Sequence, residues 1–141
     1  MVNLQPITYD NFEDVIDLKV GNDQGYVPDN VYSIAQSKVV PSLIPLAIYN
    51  DQTLVGFILY GLYPNDYWIV RLMIDKKYQK KGYGTKAMEI IIKKIKEDKE
   101  HHKMYIDVHP ENSVAMNLYK KFGFESTGKI ENGEEILVLK Y

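Results

Sequence analysis

Between Tyr67 and Val108 the chain passes through a nearly all-apolar segment, a glycine-containing loop, an amphipathic stretch and a second short apolar segment, and no other feature constrains the fold as much. Tyr67 to Ile74 has the length and the Ile, Val, Leu and Trp content of a buried strand. From Gly84 to Lys99 the apolar positions Ala87, Met88, Ile91, Ile92 and Ile95 recur at spacings of three and four, with lysines and glutamates between them. That is the pattern of a helix with one buried face. Met104 to Val108 is a second short buried strand. Strand, crossover helix and strand within one sheet require parallel strands with the helix laid on a sheet face.

The remaining segments are expected to form hairpins and shorter helices. Val2 to Ile7 alternates as a half-buried strand does, and Asp10 precedes Phe12, Val15, Ile16 and Val20 at helical spacing. Gly21 to Asn30, with two glycines and Pro28, predicts a loop, followed by a helix around Val31 to Lys38 that stops before Pro41. Leu43 to Tyr49 and Leu54 to Tyr63 flank Asn50-Asp51-Gln52-Thr53 as an antiparallel hairpin. Ser113 to Phe122 is a helix stopped by Gly123, and Phe124 to Thr127 and Ile136 to Leu139 are strands joined through Asn132-Gly133. The expected class is α+β, a mixed and mainly antiparallel sheet flanked by about four helices, with residues 1–141 as a single domain.

Composition removes several functions. With 141 residues the chain can bury a core without disulfides or metals, and the absence of cysteine excludes a thiolate nucleophile and a Cys-rich metal site. No metal is expected. Met1 to Phe12 lacks a basic stretch followed by an apolar core, and no apolar run reaches the length of a membrane span, so the expected location is the cytoplasm, with no membrane partner. The net charge of −2 hides a division: residues 1–75 hold nine acidic against three basic side chains, residues 76–141 ten against fourteen. Such a chain suits an anion gripped by the C-terminal half and a cation met by the N-terminal half; solvated helix faces are the plainer reading. Nucleic acid is not an expected partner for a mildly acidic chain.

Gln79-Lys80-Lys81-Gly82-Tyr83-Gly84 follows a strand and opens a helix, where free backbone N–H groups and the positive end of the helix dipole converge. Phosphate binds well at such a place. Gly82 and Gly84 allow close backbone approach, and Lys76, Lys77, Lys80, Lys81 and Lys86 raise the local positive potential. A dinucleotide fingerprint does not fit, since seven mostly charged residues separate Ile74 from Gly82, and a Walker A loop is absent.

Asn112-Ser113-Val114-Ala115-Met116-Asn117-Leu118-Tyr119-Lys120-Lys121-Phe122-Gly123-Phe124 resembles the Asn-x-x-Ala-x-x-Leu-Tyr-x-x-x-Gly-Phe signature of the GNAT superfamily of N-acetyltransferases, in the right order after a Gln-x-x-Gly-x-Gly loop. Within it the chain looks most like bacterial spermine/spermidine acetyltransferases, through Val55-Gly56-Phe57, Tyr60-Gly61-Leu62, Arg71, Ile74-Asp75 and Tyr78-Gln79. The resemblance implies transfer of acetyl from acetyl-coenzyme A, a cosubstrate, directly to a small-molecule amine. The polyamines spermine and spermidine stand first; an amino acid, an aminoglycoside, a protein N-terminus, or a non-catalytic acyl-coenzyme A module are the alternatives. It also implies roles: backbone groups of Leu72, Met73 and Ile74 on the pantetheine arm; Gln79, Lys80, Lys81, Gly82, Tyr83, Gly84 and Thr85 on the diphosphate; Asn112 on the arm; Tyr119 near the thioester sulfur; Gln24 and Tyr26 at the acceptor. Relatives often pair through a sheet edge, so a homodimer is one arrangement it implies.

The chemistry asks for a neutral amine, a stabilised oxyanion and a proton for the leaving thiolate. Tyr119, with an ordinary pKa of about 10, can supply that proton. Asn112 is also a good helix N-cap, and Tyr119 also a plausible core aromatic. Val70 stands where polyamine acetyltransferases carry a carboxylate, and valine cannot accept a proton. Asp66, Asp75, Glu13, Asp17 and His109 are the replacements to consider, each with an ordinary turn, helix-face or loop role of its own.

Overall fold

The computed structural model describes residues 1–21 and 29–141. A seven-stranded sheet runs through them in the order β1-β2-β3-β4-β5-β7-β6. β1 (Val2–Pro6), β2 (Leu43–Asn50), β3 (Thr53–Leu62) and β4 (Tyr67–Ile74) form an antiparallel half. β5 (Lys103–Val108), β7 (Glu134–Lys140) and β6 (Glu125–Glu131) form a second. The halves join where β4 and β5 lie parallel, as the crossover through α3 (Tyr83–Lys96) demands. The mixed, mainly antiparallel sheet matches the class expected from sequence.

Alternating side chains supply two cores. Ile48, Ile58, Ile69, Met104, Ile106, Leu137 and Leu139 face α3 and α4 (Ser113–Lys121), where Ala87, Met88, Ile91, Ile92, Ile95 and Tyr119 meet them. Ala47, Phe57, Leu59 and Met73 face α1 (Phe12–Asp17) and α2 (Asn30–Val39) on the other side. β3 contributes to both, which is why its run is apolar almost without a break.

Helix ends depart from the sequence expectation for local reasons. α1 stops at Asp17 rather than reaching Val20, because the Lys19 N–H is taken by the Asp75 carboxylate at 3.0 Å and the Lys19 carbonyl accepts from Lys76 N–H at 2.7 Å. The chain is thereby tied to the end of β4 instead of continuing the helix. α3 begins one residue earlier than expected, at Tyr83, with Gly82 as a left-handed cap at φ 84°. β6 runs on to Glu131 because Asn132 and Gly133, both at positive φ, close a tight hairpin with β7.

Candidate active site

β4 and β5 pair through only three residues, Tyr67 with Met104, Trp68 with Tyr105 and Ile69 with Ile106. Beyond them β4 continues to Ile74 and β5 to Val108 with no pairing between the two strands. The cause lies at Val70. Leu59 opposes Arg71 and Tyr60 opposes Ile69, so Val70 is an extra residue that bulges β4 and bends it away. The paired end is fastened by the Trp68 and Tyr105 rings, stacked at 5.2 Å, and by the Tyr67 hydroxyl donating to Asp98 at 2.9 Å. The parted end opens a cavity that Val70, Leu72, His109, Asn112 and Tyr119 help to line.

The backbone facing that cavity follows from register. Asp75 N–H donates to the Val55 carbonyl, so with antiparallel alternation Met73 and Arg71 also turn their N–H and C=O to β3. Leu72 and Ile74 turn theirs to the gap. The side-chain amide of Gln79 donates to the Ile74 carbonyl at 2.9 Å, which folds the loop back on the strand end. Met73 therefore faces β3 with its backbone and the α1/α2 core with its side chain.

The first N–H groups of α3, through Thr85, have no acceptor within the helix, and Gly82 has open space where a Cβ would stand. A Cβ on Gly84 would make ordinary contacts at 3.7 Å to Ile74 and 3.8 Å to Leu118. Tyr83 instead turns inward, its hydroxyl accepting from Asn50 at 3.1 Å. Lys76, Lys77, Lys80 and Lys81 are exposed beside the loop; of the five lysines singled out there, Lys86 has a carboxylate partner among the described residues, Glu89 at 3.6 Å. A strand edge offering backbone donors and acceptors, followed by a cationic helix start, fits the pantetheine and diphosphate of coenzyme A. Acetyl-coenzyme A held there would supply an activated thioester carbonyl.

Tyr119 reaches the cavity from the α4 face, packed on Phe124 at 6.2 Å and only 6 % exposed. Burial first, then the charges of Asp107 and Glu134, push its hydroxyl up from the ordinary value, so the phenol keeps its proton through the neutral range. Asn112 caps α4, accepting from Ala115 N–H at 3.2 Å, and lines the same cavity. The cap and cavity readings of Asn112 therefore hold at one residue.

On the opposite face stand three residues that the sequence reading passed over as a group. Asp107 alternates with the buried Ile106 and Val108 and so points away from α3 and α4. It pairs with Ile136 on β7, which makes Glu134 its diagonal neighbour on that face. Arg71 lies across from them on β4, its Nη1 donating to the Val70 carbonyl at 2.7 Å while its buried Nε has no partner among the described residues. Desolvation and the charge of Glu134 raise Asp107 to about 7 against the opposing pull of Arg71.

The other candidate bases are placed differently. Asp75 is buried and occupied by the Lys19 and Lys77 N–H groups. Asp66 lies at the paired end of β4, and Glu13 and Asp17 ride on α1. Of the five, His109 alone lines the cavity; its Nδ1 accepts from Glu111 N–H at 3.2 Å. Gln24 and Tyr26 lie outside the described residues.

With this geometry in view, the profile of the Acetyltransferase (GNAT) family matches residues 13–124. The spermine/spermidine N(1)-acetyltransferase of Bacillus subtilis is 31% identical over 147 aligned positions, covering 97% of each chain. Among solved structures, the PaiA N-acetyltransferase of Thermoplasma acidophilum in complex with coenzyme A superposes with a TM-score of 0.76 at 21% identity, over 100% of this chain and 99% of that one. An aminoglycoside acetyltransferase in complex with coenzyme A gives 0.82 at 19% identity, over 99% and 95%.

Proposed function

The chain belongs to the GNAT family and is an acetyl-coenzyme A-dependent N-acetyltransferase, and from that premise we propose that its acceptor is a polyamine such as spermine or spermidine, acetylated in the cytoplasm. The observation that carries the chemistry is the parting of β4 from β5, with a buried phenol entering from one face and two carboxyls from the other. Transfer needs a proton donor on the thiolate side and a negative environment on the amine side, and this opening has both. Leu72 and Ile74 would hold the pantetheine arm as an added strand, while residues 79–85 would hold the diphosphate. Asn112 would orient the arm, and Tyr119 would protonate the leaving sulfur.

The polyamine is supported by the full-length likeness to the Bacillus enzyme and by the acidic excess of residues 1–75. Gln24 and Tyr26 remain the proposed acceptor contacts. The test is a panel of spermine, spermidine, amino acids, aminoglycosides and peptides with acetyl-coenzyme A, followed by thiol release. The two polyamines should give the highest kcat/KM, and a neutral or single-charged amine at the top would overturn the assignment while leaving the family activity intact.

A further inference from the structure

We infer that Asp107 and Glu134 form a carboxyl pair that shares one proton and acts as the proton acceptor for the incoming amine, the task Val70 cannot perform. This rests on the amine-transfer reading above. β5 and β7 bring the two side chains to one face by register, beside a cavity whose other face presents Tyr119. An acceptor entering from the carboxyl face has its nitrogen next to the pair, with the proton donor for sulfur beyond the gap.

Charge gives the second step. The groups lining the cavity with the pair are Arg71 from β4, His109 from the end of β5 and Tyr119 from α4. Two ionised carboxylates beside one guanidinium leave an excess negative charge in a half-buried site. One shared proton brings the cluster to neutrality, so Asp107 holds its proton to higher pH than it would without Glu134 beside it. An arriving ammonium replaces that positive charge and favours release of the shared proton, which leaves a carboxylate ready to take one from nitrogen. The rise of Asp107 above the ordinary carboxylate range, through burial and the charge of Glu134, makes it a stronger proton acceptor than an ordinary aspartate.

One carboxylate oxygen of the pair takes a proton from the ammonium, and the freed lone pair forms the N–C bond to the thioester carbon. The C–S bond breaks with its electrons on sulfur, and the Tyr119 phenol gives sulfur its proton. The remaining extra proton on nitrogen returns through water to the phenolate.

The test is kcat against pH for the intact enzyme at saturating spermine and acetyl-coenzyme A, beside Asp107→Asn and Glu134→Gln. Because bound ammonium favours release of the shared proton, the wild type should show an acid limb in kcat below the value near 7 that the ligand-free Asp107 has. Asp107→Asn should lower kcat at neutral pH by about 10² to 10⁴ and climb with pH without that limb, while acetyl-coenzyme A still raises its melting temperature as in wild type. Glu134→Gln removes the charge that adds to burial in raising Asp107, so its limb should move about one unit or more to lower pH. An unchanged profile in Asp107→Asn overturns the acceptor role. An unmoved limb in Glu134→Gln overturns the pairing, and this arm decides the matter even if Asp107→Asn does not fold. A wild type that binds acetyl-coenzyme A yet acetylates no amine overturns the transferase reading itself, a result recognisable because no profile exists to shift.

Discussion

Tyr119 packs its ring beside Phe124 and also lines the cavity, and the proposed mechanism gives it a second duty there as proton donor. Tyr119→Phe separates them. The ring stays, so stability and acetyl-coenzyme A binding should be retained, while kcat falls by about 10² to 10⁴ through loss of the proton donor. Because burial and two neighbouring carboxyls raise this phenol, the wild type should show no alkaline decline in kcat below about pH 10. A variant at full speed would leave Tyr119 a packing residue. This residue was legible in the sequence because it sits in a short local pattern with Asn112 and Gly123. Asp107 and Glu134 were not, because they lie on strands far apart in the chain and meet only through the β5–β7 register. Nothing local in either segment announces the pairing.

At the level of elements, the two helix starts make separable predictions. Asn112→Ala should cost about 1 kcal/mol by uncapping α4, and Asn112→Asp should recover that stability. A carboxylate cannot donate a hydrogen bond as the amide can, so Asn112→Asp should still weaken acetyl-coenzyme A binding. Recovery of both stability and binding would reduce Asn112 to a cap. For α3, Gly82→Val puts a β-branched side chain at φ 84° and into the open space above the loop, so acetyl-coenzyme A should no longer raise its melting temperature. Gly84→Ala, whose added methyl meets ordinary contacts, should fold as wild type. The sequence foretold the body of α3 well, since five apolar residues at helical spacing leave little choice of buried face. It missed the early end of α1 because that end is set by Asp75, a residue on the far side of two hairpins.

For the whole molecule, the division of charge has a measurable result. A polycation drawn to the acidic half should lose kcat/KM as ionic strength rises, since at about 0.1 M salt charges beyond ~10 Å are screened. The loss should grow from diamine to tetramine, and an acceptor indifferent to salt would sink the polyamine assignment. The charge imbalance and the single strand–helix–strand crossover could be counted from the sequence, whereas the bulge at Val70 could not. A bulge is a register error between two strands, visible only once both are paired.

That bulge makes β4 a strand with one neighbour over its last residues. Met73 has its amide engaged with β3, while Leu72 and Ile74, on either side of it, turn theirs to water. Three consecutive residues of one strand should therefore differ in deuterium uptake, with Met73 slow and its neighbours fast. Acetyl-coenzyme A bound along the same edge, as proposed, should slow Leu72 and Ile74 and leave Met73 as it was, so that the bound cosubstrate is recorded as a missing strand restored. Uniform exchange along the three residues, with or without the cosubstrate, would mean that the sheet is not open there in solution.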